Sequence, residues 1–449
     1  MKHLIKSSVS AMAMAAALAT TAGAQDDMPS KEEMWKMLMA QQEQIAELKA
    51  KVEALSMEGV QVSAVDRKEI EELRNQVANN TEAVEATTGL VETALSGDSS
   101  TPDNALRNFR GADWARNTTI GGYGELHYNG GDKDEIDFHR FVLYANHRFN
   151  DWIQLQSEFE LEHSLAGDGK PGEVELEQAF IDMDLTTGLG LKFGEYDRHN
   201  FRAGLFLIPV GMLNEVHEPN TFYGVERNNV EARIIPTTWW EAGLGFNGQL
   251  TQGLSYDIYY TSGLAVPTEG GSAYAIRSGR KKVAEAPAEN AAITARLKWT
   301  AIPGVELAAT FQHQTDITQG VADADANLFE AHANIQKSGF GLRALYARWD
   351  IDSVAAEAIG RDEQVGWYVE PSYRFSISPE FGDFGIFARH EQWDTEAGLN
   401  LDSNNKTTTF GFNYWPHNNV VFKFDYQSQK LGFGADGDDR INLGVGYQF

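Results

Sequence analysis

The sequence predicts an all-β fold, a sixteen-stranded antiparallel transmembrane β-barrel, preceded by an α-helical coiled coil. Three observations predict it. In the closing segment, Ile441, Leu443, Val445, Tyr447 and Phe449 take every second position, with Asn442, Gly444, Gly446 and Gln448 between them. Period two marks a strand with one apolar face and one small or polar face. The same alternation recurs from Asn117 onward, broken by turn residues. Ahead of it lies a stretch with the period of a helix.

The elements follow in chain order. Lys2 and Lys6 precede an apolar run from Val9 to Ala22, and Ala22-Gly23-Ala24 offers a small-x-small cleavage site. Residues 1–24 therefore read as a secretory signal peptide. Residues 25–96 read as a coiled coil. Met34, Leu38, Gln41, Ile45, Leu48, Val52 and Leu55 alternate spacings of four and three, which is an a/d heptad seam. Ile70, Val77, Val84 and Val91 repeat every seven in a second phase, with a break near Gly59. A single amphipathic helix lying on the barrel is the competing reading. Residues 97–116 form a polar linker containing Gly97, Pro102 and Gly111.

The barrel occupies 117–449. Its strands are expected at 117–129, 135–149, 152–163, 173–185, 200–209, 237–249, 253–262 and 291–300 in the first half. The second half holds 304–314, 327–336, 339–350, 363–375, 383–394, 405–415, 419–430 and 439–449. Sixteen is even, as single-chain bacterial barrels require. Residues 186–199 fit poorly, because Leu189–Tyr196 resembles an extra half-strand. Trp152, Trp239, Trp240, Trp299, Trp349, Trp393 and Trp415 lie near strand ends, where an interfacial girdle would place them. A soluble β-sandwich also alternates, but it does not explain so many strands behind a signal peptide.

Composition narrows the function. The formal charge is −28, and loss of Lys2 and Lys6 would make it −30. So acidic a chain excludes nucleic acid as a natural partner. With no cysteine, disulfides and thiolate chemistry are excluded. No cofactor or metal motif stands out. Two G-x-G-x-x-G matches, Gly243–Gly248 and Gly432–Gly437, sit in strand–turn text and open no helix. His217 beside Glu218 has no third partner visible in sequence, so no catalytic residue is assigned and the chain is not read as an enzyme. An outer-membrane hydrolase stays as a minor alternative.

About sixteen strands leave an aqueous lumen, so the second face of each strand carries the chemistry. Clean alternation assigns Arg140, Arg148, Gln154, Gln156, Glu158, Glu160, Glu162 and Arg202 to that lumen. It adds Thr294, Arg296, Lys298, Glu330, His332, Asn334 and Arg343. Glu370, Arg374, Arg389, Glu391, Lys423, Asp425 and Gln427 complete the set. Facing acids and bases would orient a polar solute, and a local excess of Arg would favour anions. Mutual pairing into a non-selective wall is the other reading. Arg277, Arg280, Lys281 and Lys282 are expected at a solvated loop tip.

The most specific text is Asn200-Phe-Arg-Ala-Gly-Leu-Phe-Leu-Ile-Pro-Val-Gly, then Asn214-Glu-Val-His-Glu-Pro-Asn-Thr-Phe-Tyr-Gly-Val-Glu-Arg-Asn, then Ile234-Ile-Pro-Thr-Thr-Trp. With Tyr414-Trp-Pro-His-Asn-Asn-Val-Val-Phe-Lys423 and the Phe449 end, it resembles the phosphate-selective porins (the outer-membrane porin O and P type) over roughly 117–449. The resemblance implies a homotrimer in the bacterial outer membrane, contacting lipid and lipopolysaccharide. It implies a third extracellular loop folded inward, and diffusion of small hydrophilic, chiefly anionic, solutes such as phosphate or dicarboxylates. The matching loop carries Glu215, His217, Glu218, Glu226, Arg227, Glu231 and Arg233 as constriction residues. Acids outnumber bases there, a departure from a cationic ladder for phosphate. The coiled coil resembles that of relatives handling dicarboxylates or carbohydrates and would lie in the periplasm, bracing the trimer or reaching peptidoglycan. A carbohydrate-selective porin and an envelope tether remain alternatives.

Overall fold

The computed structural model describes residues 116–378, 380–399 and 401–449. The expected signal peptide and coiled coil lie outside them, as does nearly all of the expected linker.

Sixteen antiparallel strands close into one barrel. The first eight are β1 (Thr118–Gly130), β2 (Glu135–Arg148), β3 (Ile153–Glu162), β4 (Val174–Asp184), β5 (Arg198–Leu207), β6 (Trp240–Thr251), β7 (Leu254–Thr261) and β8 (Ala292–Trp299). The rest are β9 (Val305–Gln314), β10 (Asp325–Lys337), β11 (Phe340–Asp352), β12 (Glu363–Ser378), β13 (Gly382–Asp394), β14 (Asn405–His417), β15 (Val420–Lys430) and β16 (Arg440–Gln448). Each strand pairs with its sequence neighbours, and β1 pairs with β16 to seal the sheet. Phe449 finishes the seal: its N–H donates to the Gly122 carbonyl at 2.8 Å, and Gly122 N–H returns a bond of 3.0 Å. A closed sheet leaves no edge, which is what lets β-structure span hydrocarbon.

Alternation has the expected polarity. In β16, Ile441 and Leu443 are 49 % and 47 % exposed on the outside, while Asn442 between them is buried. Gly444 and Gly446 share the inner face with Asn442. They have a packing reason: a Cβ on Gly446 would lie 2.4 Å from Pro219, and one on Gly444 would lie 3.2 Å from Val225. Both contacts belong to the β5–β6 loop, so that loop lies inside the barrel.

Most connections sort by side, the exceptions being 185–197 on the short-turn rim and 131–134 on the long-loop rim. The turns 149–152, 252–253, 300–304, 338–339, 379–381 and 418–419 have two to five residues. The opposite rim carries the long loops 163–173, 208–239, 262–291, 315–324, 353–362, 395–404 and 431–439. Residues 186–199 correct the expectation. No half-strand forms there; Leu185–Leu189 make a short helix, α1. Asp184 caps it by accepting from Thr187 N–H, and Gly190 ends it in the left-handed region at φ 68°. The strand count is unaffected.

The tryptophan girdle also needs correction. Trp239, Trp240, Trp349, Trp393 and Trp415 are buried, so they do not face lipid. Trp239, Trp349 and Trp393 instead join Ile208, Val230, Ile234, Leu264 and Tyr274 in an apolar core inside the barrel. The lipid-side aromatics are mostly phenylalanine and tyrosine. Phe340, Tyr373, Phe375, Phe384, Tyr414 and Phe422 form a ladder of neighbouring rings, 4.6–6.3 Å apart, near the short-turn rim of β11–β15.

Replacing Gly446 with Val should push Pro219 and its loop off β16. The expected result is a larger single-channel conductance with the heat-modifiable gel shift of a folded barrel retained. Unchanged conductance would mean that the loop does not rest on this face.

Candidate functional site

The candidate site is built on the thirty-two residues between Leu207 and Trp240. A loop that long inside a barrel brings many backbone polar groups out of water, and each needs a partner. Inward side chains of the wall provide them. Arg140 Nη2 on β2 donates to the His217 carbonyl at 2.8 Å. Arg343 Nη2 on β11 donates to Thr221 O at 2.6 Å. On β15, Lys423 Nζ donates to Gly224 O at 2.8 Å, and Asp425 accepts from Val225 N–H at 2.6 Å. Glu391 on β13 accepts from Asn229 N–H at 2.6 Å.

The loop's far end is held by Glu231. Its carboxylate accepts from Met212 N–H at 2.9 Å, Leu213 N–H at 2.6 Å and the Tyr368 hydroxyl at 2.7 Å. Gly211 makes this approach possible: it has φ 72°, and a Cβ there would lie 2.7 Å from Glu231 Oε2. Glu231 is 0 % exposed. It was expected at the solute path but holds the loop's fold instead.

The other constriction candidates differ in setting. Glu215 pairs with Arg296, which lies 2.8 Å from Asp257 on its other side. Burial opposes the Glu215 charge, but Arg296 wins and lowers its pKa. Glu226 accepts from Asn129 at 3.0 Å and contacts His127 at 2.9 Å. Despite the cost of burial, these partners hold its pKa down to about 2. His217 is buried, and lost hydration followed by the nearby Arg227 charge pushes its pKa down to about 4. Glu218 is half-buried, and its carbonyl accepts from Thr221 N–H at 2.9 Å. Arg233 is exposed and donates to Asn229 Oδ1 at 3.0 Å.

Most of the expected wall cations are neutralised. Arg140 binds Glu125 at 2.6 Å, Arg202 binds Asp182 at 2.9 Å, and Arg389 binds Glu370 at 3.2 Å. Arg374 binds Asp383 at 2.9 Å and stacks 4.2 Å from the Trp415 ring. Lys298 is 4.0 Å from Glu306. Lys423 sits 3.6 Å from the Phe222 ring centre. Arg148 is exposed at the short-turn end of β2.

On the wall, Arg343 and Lys423 have no carboxylate within 4.0 Å among the described residues and bond to the loop carbonyls of Thr221 and Gly224; the loops add further cations that lack acids. Arg227 Nη1 donates to the Thr238 hydroxyl at 2.9 Å. Arg277 Nη1 donates to the carbonyls of Ala232 and Thr237 at 2.7 and 2.8 Å, and Arg280 donates to Thr238 O. These are contacts to the third loop, so Arg277 and Arg280 do not belong to a solvated tip as expected. Enclosure by the barrel, followed by the Arg280 and Arg227 charges, lowers the Arg277 pKa to about 10. Among the described residues no ion pair reaches Arg227, Arg233, Arg277 or Arg280 within the usual 4.0 Å. Lys282 differs: it binds Glu173 at 2.6 Å and also Glu175, and these carboxylates overcome burial and raise its pKa.

Opposite stands a row of acids. Glu158, Glu160 and Glu162 on β3 were expected; Glu173, Glu175 and Glu177 beside them were not named. Their own period-two spacing into β4 was the available signal. Three of them, Glu162, Glu175 and Glu177, act electrostatically on Arg280.

A barrel of this size, with guanidinium groups facing carboxylates beneath an infolded loop, has the form of a channel eyelet. Comparison with known proteins decides its family. The family model for phosphate-selective porin O and P matches residues 121–431. The chain belongs to that family. It is an outer-membrane porin of the bacterial envelope, a channel admitting small solutes. An uncharacterized protein of Aquifex aeolicus (strain VF5) is 30 % identical to this porin over 363 residues, 72 % of this chain and 78 % of the relative. Among solved structures, Salmonella typhi OmpF in complex with daunomycin matches with TM-score 0.50 and 16 % identity, over 74 % of this chain and 97 % of that one. That match shows the barrel fold. The outer-membrane channel DcaP of Acinetobacter baumannii matches with TM-score 0.47 and 12 % identity, over 74 % and 97 %.

Replacing Glu231 with Ala leaves the Met212 and Leu213 N–H groups and the Tyr368 hydroxyl without their acceptor. Each such buried group costs about 1–3 kcal/mol. Open-channel current noise should rise as the loop loosens, and the barrel should lose its heat-modifiable form at a lower temperature. A quiet channel with unchanged melting would show that Glu231 does not hold the loop.

Proposed function

We propose that this porin is a homotrimeric diffusion channel for small anions such as phosphate or dicarboxylates, narrowed by its third loop. The observation that carries this reading is the group of Arg227, Arg233, Arg277 and Arg280, all without a carboxylate partner among the described residues. Paired wall cations present little net field to a solute. Unpaired guanidinium groups in an enclosed, poorly screened space attract anions over distances of several ångströms. The acids of β3 and β4 supply the other pole. A solute with separated charge would align across the eyelet, with its anionic end on the arginines. The contacts are side-chain and few, as diffusion requires: a site must release what it binds.

The mixed field also bears on specificity. A ladder of cations alone would hold phosphate tightly, whereas acids opposite the arginines disfavour multiply charged small ions. Extended dicarboxylates and polar zwitterions fit such a gap better than a compact dianion such as hydrogen phosphate. The coiled coil is proposed to lie in the periplasm, bracing the trimer or reaching peptidoglycan, with lipid and lipopolysaccharide around the barrel.

Planar-bilayer currents test the reading. Under a salt gradient the reversal potential should show anion preference, with steps in groups of three and block by succinate or phosphate rather than maltose. Arg277→Ala together with Arg280→Ala should lower the anion-to-cation permeability ratio by roughly threefold to tenfold, the scale of ~1 kcal/mol of electrostatic energy. Arg227→Ala with Arg233→Ala should act in the same direction. Cation preference in the unmodified channel, or an unmoved ratio in both variants, would refute the anion reading.

A further inference from the structure

The wall under the loop's first arm holds a group that solute passage does not explain. His217 on the loop faces Glu158 of β3 and Glu177 of β4. All three are buried, with exposures of 3 %, 7 % and 1 %. Their donor atoms lie within 4.8 Å of one another. His217 Nε2 is 3.5 Å from Glu177 Oε2 and 3.8 Å from Glu158 Oε1. Those separations are too long for hydrogen bonds.

The protonation of the imidazole follows from its other side. His217 Nδ1 lies 3.1 Å from the Asn214 carbonyl oxygen, which only accepts, so Nδ1 carries the hydrogen. Nε2 is then a bare lone pair in the neutral ring, aimed at two carboxylates. It has no hydrogen-bond partner, while Glu177 beside it also interacts with the Glu160 carboxyl of the neighbouring strand. Nε2 thus faces two carboxylates in a buried space with no donor of its own, while Glu158 takes donors from Tyr123 and Gln178. Orphaned polar atoms of this kind are rare and call for a missing partner.

We infer that Glu158, Glu177 and His217 form a binding site for a divalent transition-metal cation of the zinc type. Two carboxylates and one imidazole are a common donor set for such ions, and the imidazole disfavours magnesium and calcium. A tetrahedral ion with arms of ~2.1 Å sets its ligands ~3.4 Å apart, close to both His217 separations. Two carboxylates cancel the charge of the ion. The surroundings also have the form expected around a metal, where outer partners fix the ligands. Asn214 sets the imidazole tautomer. Glu158 accepts from the Tyr123 hydroxyl at 3.1 Å and from Gln178 Nε2 at 2.6 Å. Arg227 is the opposing influence, since its charge acts on both His217 and Glu177. An ion here would tie the loop's first arm to β3 and β4, joining the loop's position to metal supply. The sequence had suggested no metal.

Zinc titration of the full-length trimer in detergent, after chelator treatment, tests the site. Calorimetry should show one Zn²⁺ per chain. His217→Asn keeps a donor for the Asn214 carbonyl and removes the Nε2 ligand, while Glu177→Gln keeps shape and removes charge. Each should weaken binding by roughly a thousandfold, beyond the ten- to hundredfold of an outer-partner change. X-ray absorption of the zinc-loaded wild type gives a second measurement that does not depend on a variant's folding. It should report one imidazole and oxygen donors at ~2.0 Å. No stoichiometric zinc binding, undiminished binding in both variants, or a spectrum without imidazole would each overturn the assignment.

Discussion

Everything inside this barrel depends on one constraint: a peptide loop cannot lie within a closed sheet unless its backbone polar groups find partners there. The wall answers with charged side chains turned inward. Arg140, Arg343 and Lys423 donate to loop carbonyls, while Asp425 and Glu391 accept from loop N–H groups. Ionised partners give the stronger class of hydrogen bond, which suits anchors that must hold a long segment against its own entropy. Glu231 extends the same device within the loop. The apolar core of Trp239, Trp349 and Ile234 fills the space behind it, so one side of the lumen is packed and the other stays polar.

That division explains why so many inward charges coexist. A buried charge is costly alone and tolerable when paired. Arg140 with Glu125, Arg296 with Asp257 and Arg389 with Glu370 are such pairs, and several of their members also serve the loop. They cancel one another's field. The residues left over are the ones a passing ion would sense. These include Arg343 on the wall with Arg227, Arg233, Arg277 and Arg280 on the loops, all but Arg233 fixed to backbone carbonyls or a hydroxyl that do not neutralise them.

The fold was legible because alternation is a local signal and the lipid enforces it. Every strand bound falls within three residues of its expectation, including β5 at Arg198 and β12 ending at Ser378. Where the signal misleads or is not periodic, reading failed. Leu189, Leu191 and Phe193 alternate as a strand would, but Leu189 ends a five-residue helix too short to show a helical repeat, and Leu191 and Phe193 follow it exposed and outside any strand. The tryptophans were misplaced for a different reason. Position along a strand says that a ring is near a rim, but whether it meets lipid or the inner core depends on register against loops far away in sequence. Arg277 and Arg280 are the same case, since their burial against Thr237 and Thr238 is a long-range contact. Glu173, Glu175 and Glu177 could have been found by extending the β3 argument across the next turn.

The acids of β3 and β4 show why charge counting along a loop misjudges a channel. Counted as text, the third loop is more acidic than basic. In space, Glu231 is consumed by backbone groups, Glu215 by Arg296 and Glu226 by His127 and Asn129. The acidic excess of the loop is thus spent on its own fold, and the fourth loop's arginines complete the cationic pole. The opposing acids belong to the rigid wall instead, on paired strands whose geometry a solute cannot displace. A field with its negative pole on the sheet and its positive pole on the loops is anchored at one end and adjustable at the other. Selectivity can then be retuned by loop residues without disturbing the barrel that holds them.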